Sequence, residues 1–336
     1  MDGIGTASAE TLTGTGLQVV FLGTKGGPPP NADSAGIASA VIVDGSVYLV
    51  DVGRAAVTQY ARSGLRFENL RGVFITHLHA DHIADYFNLF LLAGYSHREY
   101  RDALPDRTPV FGPGSAGGLP PAFEGGDVGT VSPAEPTPGI ARLTDLAAAA
   151  FAYSTNVFVR DSGVRETRGL AEVHEIDVAG TGATFENTSP VMDPIPVFED
   201  PAVRVTAVLV PHGPVFPAFA YRFDTVHGSV TFSGDTTYSD NLVRLATGTD
   251  LLVHEAINVD GFRGPAAFVG HLLEGHVEVQ RLGGIAQAAG AKRLAVSHIA
   301  DLVHGAADPI RWATWAQAGY EGPVHVARDL DVITVA

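Results

Sequence analysis

The chain contains no cysteine. It therefore has no disulfide framework, no thiolate nucleophile and no thiolate metal ligand, and any transition-metal site must be assembled from His, Asp and Glu. Lysine is nearly as scarce: Lys25 and Lys292 are the only two among 336 residues, and the formal net charge is −16. A polyanion approaching such a surface meets repulsion unless a local basic patch overrides it, so nucleic acid is not the expected partner. Long apolar runs are missing too. The run YFNLFLLAGY at 86–95 falls well short of the roughly 20 residues a spanning helix needs, so no membrane association is expected. The opening MDGIGTASAETLTGTG has neither a basic n-region nor an apolar h-region. Residues 1–16 read as a flexible tail, and the chain as cytoplasmic as given, or exported with its signal already removed.

What is present suits a folded globule, with 46% hydrophobic and 17% charged residues, which excludes a wholly disordered chain. LQVVFLGT (17–24) and ASAVIVDGSVYLVDVG (38–53) are rich in β-branched residues, and the second is interrupted by Asp-Gly. They predict a strand followed by a hairpin. A short helix (AAVTQYARSG), the strand GVFITH, a helix from His82 to about 96 and the strand PVFGP follow. Residues 113–141, dense in Gly and Pro, read as a loop, 142–160 as a helix and 187–201 as turn-rich. VRVTAVLVPH, AFAYRFDT and SVTFSGDT restore the sheet, and DLLVHEA, EVQRLGGIAQAAG and RLAVSH alternate strand, helix and strand. Each half reads as strands followed by helices, predicting an α/β fold of two packed sheets with helices outside.

The segment ITHLHADHIADY places His77, His79, Asp81 and His82 within six residues, where an apolar strand meets a helix. Neutral imidazole and carboxylate are the usual donors for zinc and related divalent ions, and alternate residues on an extended segment point the same way. His77 and His79 thus face one ion, and Asp81 with His82 a second. Three more candidates each follow a strand: His212 in VLVPHGP, Asp235 in FSGDT and His298 in AVSHI.

This series, HxHxDH followed by His, Asp and His, resembles the ligand set of the metallo-β-lactamase fold superfamily, over about residues 17–335. The resemblance implies an αββα four-layer sandwich, with residues 17–336 as one catalytic domain and an insertion at about 97–200 shaping the pocket. It implies one ion held by His77, His79 and His212, a second by Asp81, His82 and His298, and Asp235 bridging them. Two Zn2+ are implied, with Mn2+ or Fe as alternatives, and a hydroxide between them that attacks an ester. Within the superfamily the chain is most similar to the branch of tRNA 3′-processing ribonucleases, arylsulfatases and phosphodiesterases, through FLGTKGGPP, LVDVGRAAVTQY, LLVHEA and HVEVQRLGGIAQAAGAKRLAVSH. By that match Glu255 and His276 handle protons beside Asp81 and the other ligands. His276 is preferred to His271 because it is taken to open the helix leading to His298. His254 is read as a packing or supporting residue, and Asp51 either orients a ligand imidazole or caps a turn.

The expected reaction is hydrolysis of a small ester, a phosphodiester or aryl sulfate first and a lactone or carboxylic ester as the alternative. A non-hydrolytic metal-binding relative is the contrasting class. Only 23 positions separate His212 from Asp235, leaving no room for the long arm with which the branch's ribonucleases grip tRNA. With the acidic charge, this sets tRNA aside as a partner. Phe151, Tyr153, Phe158, Phe185 and Phe198 are candidates for an apolar wall, and a homodimer is compatible with the branch.

Overall fold

Asp44 and Gly45 both have positive φ (47° and 84°), the geometry of a tight primed turn, and they fold β3 (Ala38–Val43) back onto β4 (Ser46–Val50). Around this hairpin grows the first sheet, from β1 (Ile4–Thr6), β2 (Leu17–Gly23), β5 (Leu70–Phe74), β6 (Thr108–Pro113), β7 (Ala171–Ile176) and the C-terminal β15 (Asp331–Thr334). Its spatial order is β1-β15-β2-β3-β4-β5-β6-β7. The second sheet contains β8 (Ile195–Glu199), β9 (Arg204–Leu209), β10 (Phe219–Thr225), β11 (Gly228–Phe232), β12 (Leu251–Asn258), β13 (Leu294–Asp301) and β14 (Val324–Val326), in the order β14-β13-β12-β11-β10-β9-β8. The computed structural model describes residues 4–7, 12, 14–97, 102–122, 125–126 and 128–335. The expected N-terminal tail lies partly outside them, and its residues Ile4–Thr6 pair with β15.

The inner faces meet through aromatic rings. Phe74 stacks on Phe111 at 5.3 Å and meets Phe223 edge-on at 5.1 Å, with Phe198 and Tyr221 beside them. Each such side chain contributes about 1.5–3 kcal/mol by leaving water. Outside the first sheet, α1 (Ala56–Arg62), α3 (Tyr86–Gly94) and α4 (Ile140–Ala150) bury a second apolar layer that includes Tyr60, Tyr86, Phe90 and Ile140. Outside the second, α6 (Asp240–Leu245), α8 (Leu282–Ala289) and α9 (Pro309–Ala316) bury Leu242, Leu282, Ile285 and Trp312. The result is the expected αββα sandwich.

Three local readings change. The helix expected from His82 is two pieces, α2 (Ala80–Ile83) and α3, and the one expected at 142–160 breaks at Phe151 into α4 and α5 (Ala152–Ser162). Within the supposedly turn-rich 187–201, β8 forms an edge strand, where Pro196 costs no central ladder bond and Phe198 reaches the inner core. No helix of the described residues is long and apolar enough to cross a membrane. α3 buries most of its apolar residues, including Tyr86, Phe90 and Leu91, and leaves Leu92 exposed.

Candidate metal centre

Five strands deliver side chains to one rim of the sandwich. β5 runs on into His77 and His79, β9 into His212 and β11 into Asp235, while β12 carries Glu255 and β13 carries His298. At the last of these the pairing of β12 with β13 skips a residue: Glu255 pairs with Ser297 and Ala256 with Ile299. His298 is the one left over. Its φ of 47° lies in the left-handed region that a non-glycine residue occupies at a cost, and the bulge turns its ring out of the ladder into the centre.

All seven expected ligands are brought together. His77, His79, His212 and Asp235 form one group, and Asp81, His82 and His298 another. Asp235 joins them. Its Oδ2 lies 3.1 Å from His298 Nε2, 3.3 Å from His82 Nε2 and 3.8 Å from both His77 Nε2 and His212 Nε2.

The rings are held from behind. His212 Nδ1 donates to the Gly275 carbonyl at 2.8 Å, and because a carbonyl only accepts, Nε2 is left as the lone-pair nitrogen. His82 Nδ1 donates to Asp51 Oδ2 at 2.8 Å, and Asp51 is itself fixed by the Thr76 backbone N–H and hydroxyl. Of the two roles left open for Asp51, orientation of an imidazole is the one the structure shows. Asp81 accepts from Gly27 N at 2.9 Å. Burial, against the pull of Asp235, depresses the pKa of His77 and His79 and takes His212 down to about 3. These rings are therefore neutral at pH 7, the form that donates a lone pair to a cation.

The donor set fits divalent cations. His77 Nε2, Asp81 Oδ1, His82 Nε2, Asp235 Oδ1 and His298 Nδ1 are buried without a hydrogen-bond partner, and each such atom costs about 1–3 kcal/mol unless something satisfies it. Two clusters of nitrogen and oxygen donors, with no sulfur, suit two hard-to-borderline divalent ions.

Glu255 is buried, accepts from Val277 N at 2.9 Å and lies 3.3 Å from His276 Nδ1. Burial opposes charge on His276, but Glu255 and then Asp235 outweigh it and hold its pKa up at about 9. His276 reaches this place differently from expectation. It opens no helix; in extended conformation (φ −140°, ψ 161°) it follows the last turn of α7 (Ala266–Gly275), because Gly275 before it must bring its carbonyl to His212. His254 is buried with Nδ1 2.7 Å from the Glu255 carbonyl, a supporting place as expected.

Beside His212, a groove of about 1010 Å³ runs between the Gly/Pro-rich segment and α7, lined by Leu119, Val128, Val131, Phe185, Gly213 and Glu274 among others. Of the five aromatic residues expected in an apolar wall, Phe185 lines it. Phe198 belongs to the inner core, while Phe151 and Phe158 pack on Phe87 and Tyr95. Sequence reasoning missed the glycine backbone at Gly27 and Gly275, because a peptide N–H or C=O leaves no mark in residue type.

The profile of the family described as Anti-Pycsar protein Apyc1 matches residues 18–101, the part that carries the first four candidate ligands. Over 320 residues the chain is 27% identical to ribonuclease Z of Mycobacterium bovis (strain BCG / Pasteur 1173P2), covering 95% of this chain and 98% of the relative. Human tRNase Z, short form, superposes with a TM-score of 0.62 at 21% identity, covering 95% and 99% of the two chains. The metallo-β-lactamase fold protein YhfI from Bacillus subtilis superposes at 0.60 and 18%, covering 94% and 98%. The chain is a metallo-β-lactamase-fold hydrolase. It resembles ribonuclease Z over nearly its whole length, and its clusters of His and Asp suit divalent metal.

These relatives overturn one expectation. tRNA was set aside on net charge and on a short loop, yet proteins matched end to end by this hydrolase are ribonuclease Z, and one solved neighbour is a tRNase Z. The charge argument fails physically because surface charges beyond about 8–10 Å are screened at cellular salt, while cations at the cleft act at close range. The loop argument fails because one missing gripping element does not decide which bond a metal centre cleaves.

Proposed function

We propose that the hydrolase cleaves a phosphodiester, using two zinc ions held as His77, His79, His212 and Asp81, His82, His298 with Asp235 between them. The position of Asp235 Oδ2, within 3.8 Å of four ligand imidazoles, carries this reading, because a single carboxylate oxygen so placed serves both half-sites. When bound, the ions lower the pKa of a shared water and polarise the scissile ester.

The chain's own groups do the rest. Asp51, Thr76 and the Gly275 carbonyl fix the rings so that the donor atoms stand ready before any ligand arrives. Glu255 orients His276 and favours its charged form, and His276 passes a proton to the departing oxygen. The group expelled from an RNA phosphodiester is an alkoxide, a poor leaving group that gains most from such an acid. The ribonuclease Z relatives support RNA as the substrate class.

The test is a panel of bis(p-nitrophenyl) phosphate, a precursor tRNA, p-nitrophenyl sulfate and an acyl lactone, run with and without chelator, with metal content measured by elemental analysis. Phosphodiester turnover that exceeds the sulfate and the lactone, is lost on chelation and returns with zinc is expected. Chelator-resistant turnover, or a faster sulfate or lactone reaction, would overturn the reading.

A further inference from the structure

Lys25 is one of two lysines in the chain, and it sits where both sheets meet the metal centre. Its backbone bridges Gly36 on one side and Ile299 on the other, the residue after His298. The two glycines that follow are pressed against the ligands: a Cβ on Gly26 would lie 2.7 Å from His298 Nδ1, and Gly27 N donates to Asp81. Lys25 is half-buried, and its ammonium bonds to the carbonyl of Gly26. Among the described residues it forms no ion pair. The other lysine, Lys292, is exposed and paired with Asp250 at 2.7 Å.

Lys25 lines a pocket of about 540 Å³ beside the Asp81–His82–His298 half of the centre, together with Asn31, Ser34, His304 and Arg328. Two of its three carboxylates are already saturated. Asp329 accepts from Thr24 N, Thr24 Oγ1, Ala35 N and Gln59 Nε2, and Asp301 from Asn258, Trp312 and the backbone of Val303 and His304. Asp33 is exposed at the rim. The cations are less fully matched: Lys25 bonds a carbonyl and feels the charge of Asp81 without pairing to it, and the exposed Arg328 guanidinium has no described partner. The groove on the His212 side carries neither Lys nor Arg and presents Glu186 and Glu274.

We propose that this pocket is a subsite for a second phosphate of the substrate, the one neighbouring the scissile diester, with Lys25 and Arg328 as its charge partners. The two flanks of the centre then give a substrate its direction, phosphate toward Lys25 and uncharged base toward the groove beside His212. An ammonium–phosphate contact of this kind is charge-assisted and partly desolvated, which makes it stronger than an exposed pair. The proposal rests on the phosphodiesterase reading, and its test separates the two.

Metal-loaded wild type, Lys25→Met and Lys25→Arg are compared on the dinucleotide ApA and on pApA and ApAp, which add one terminal phosphate on either side. Metal stoichiometry is measured for each protein. The expected result is a preference of about tenfold in kcat/KM for one phosphorylated dinucleotide over ApA, expressed in KM, lost in Lys25→Met at full metal content and kept in Lys25→Arg. Calorimetric titration with inorganic phosphate reads the pocket without turnover: wild type takes up two equivalents and Lys25→Met one. Equal use of all three dinucleotides, or equal loss on all three in Lys25→Met, overturns the subsite. If wild type cleaves no dinucleotide, the phosphate titration alone decides the pocket, a single equivalent unaffected by Lys25→Met refuting it; the phosphodiesterase reading itself falls only if neither bis(p-nitrophenyl) phosphate nor precursor tRNA is cleaved.

Discussion

Nδ1 of His79 and Nε2 of His212 face each other at 3.2 Å. His212 has already committed its other nitrogen to the Gly275 carbonyl, so its Nε2 is an acceptor, and two rings so arranged are drawn together by a proton on His79 or by a cation shared between them. Chelation should therefore destabilise the fold. An ion at about 1,000 times its dissociation constant stabilises by about 4 kcal/mol, so thermal denaturation with and without chelator should differ by on the order of 10 °C. An unchanged Tm would mean that the cluster holds no ion.

Replacing Asp235 with Asn keeps the shape and removes the shared charge. Metal content should fall from two equivalents to one or fewer, and kcat/KM by about 10²–10³-fold, the equivalent of several kcal/mol of transition-state stabilisation. Elemental analysis beside steady-state kinetics checks both. Two retained ions would remove Asp235 from its joining role.

His276→Ala and Glu255→Gln should lower kcat while leaving metal content intact, His276→Ala by about 10²–10⁴-fold on an RNA diester. The loss should be far smaller on bis(p-nitrophenyl) phosphate, whose leaving group needs no proton. Equal losses on both substrates would show that His276 only shapes the site.

Gly26 has no room for a side chain, since a Cβ there would meet both Nδ1 and the carbonyl of His298 at 2.7 Å. Gly26→Ala should push His298 off its bulge, leaving a folded chain that binds the ion of the His77 group and loses the other. Retention of two tightly held ions would contradict this.

In the pocket beside Lys25, Asp301 accepts from Trp312 Nε1 at 3.0 Å and Asn258 Nδ2 at 3.0 Å. Burial opposes its charge, but the His304 backbone and these donors prevail and hold its pKa below the usual carboxylate range. A lowered folded pKa means stabilisation that is present above the ordinary value and lost as pH falls through the folded one. Asp301→Ala should thus cost about 1–3 kcal/mol near pH 7, a drop of several degrees in Tm, and the gap to wild type should close in acid. A gap constant with pH would assign the effect to packing alone.

The metal cluster was legible in the sequence because ligand residues are chemically distinctive and their strands have a clear apolar signature. ITHLHADH and the strand ends at His212, Asp235 and His298 required no tertiary knowledge to single out. What escaped was set by backbone and by sheet position. β8 reads as turn because Pro196 and its acidic neighbours disfavour a strand, and only its edge location makes them tolerable. The resemblance of HVEVQRLGGIAQAAG to a helix that begins with a catalytic His puts His276 at a helix start, while its extended backbone follows from the bond between Gly275 and His212. Partner choice was read from total charge, a sum that hides where Lys25 stands.

The candidate ligands come from both sheets, with His77 to His82 after β5 in the first and His212, Asp235 and His298 from the second. Neither half of the chain holds a usable site by itself. The centre comes into being only when the two sheets have closed on their aromatic interior, so tight ion uptake works as a readout of completed folding. A nascent or damaged chain, with its sheets apart, cannot begin hydrolysis before its fold is finished.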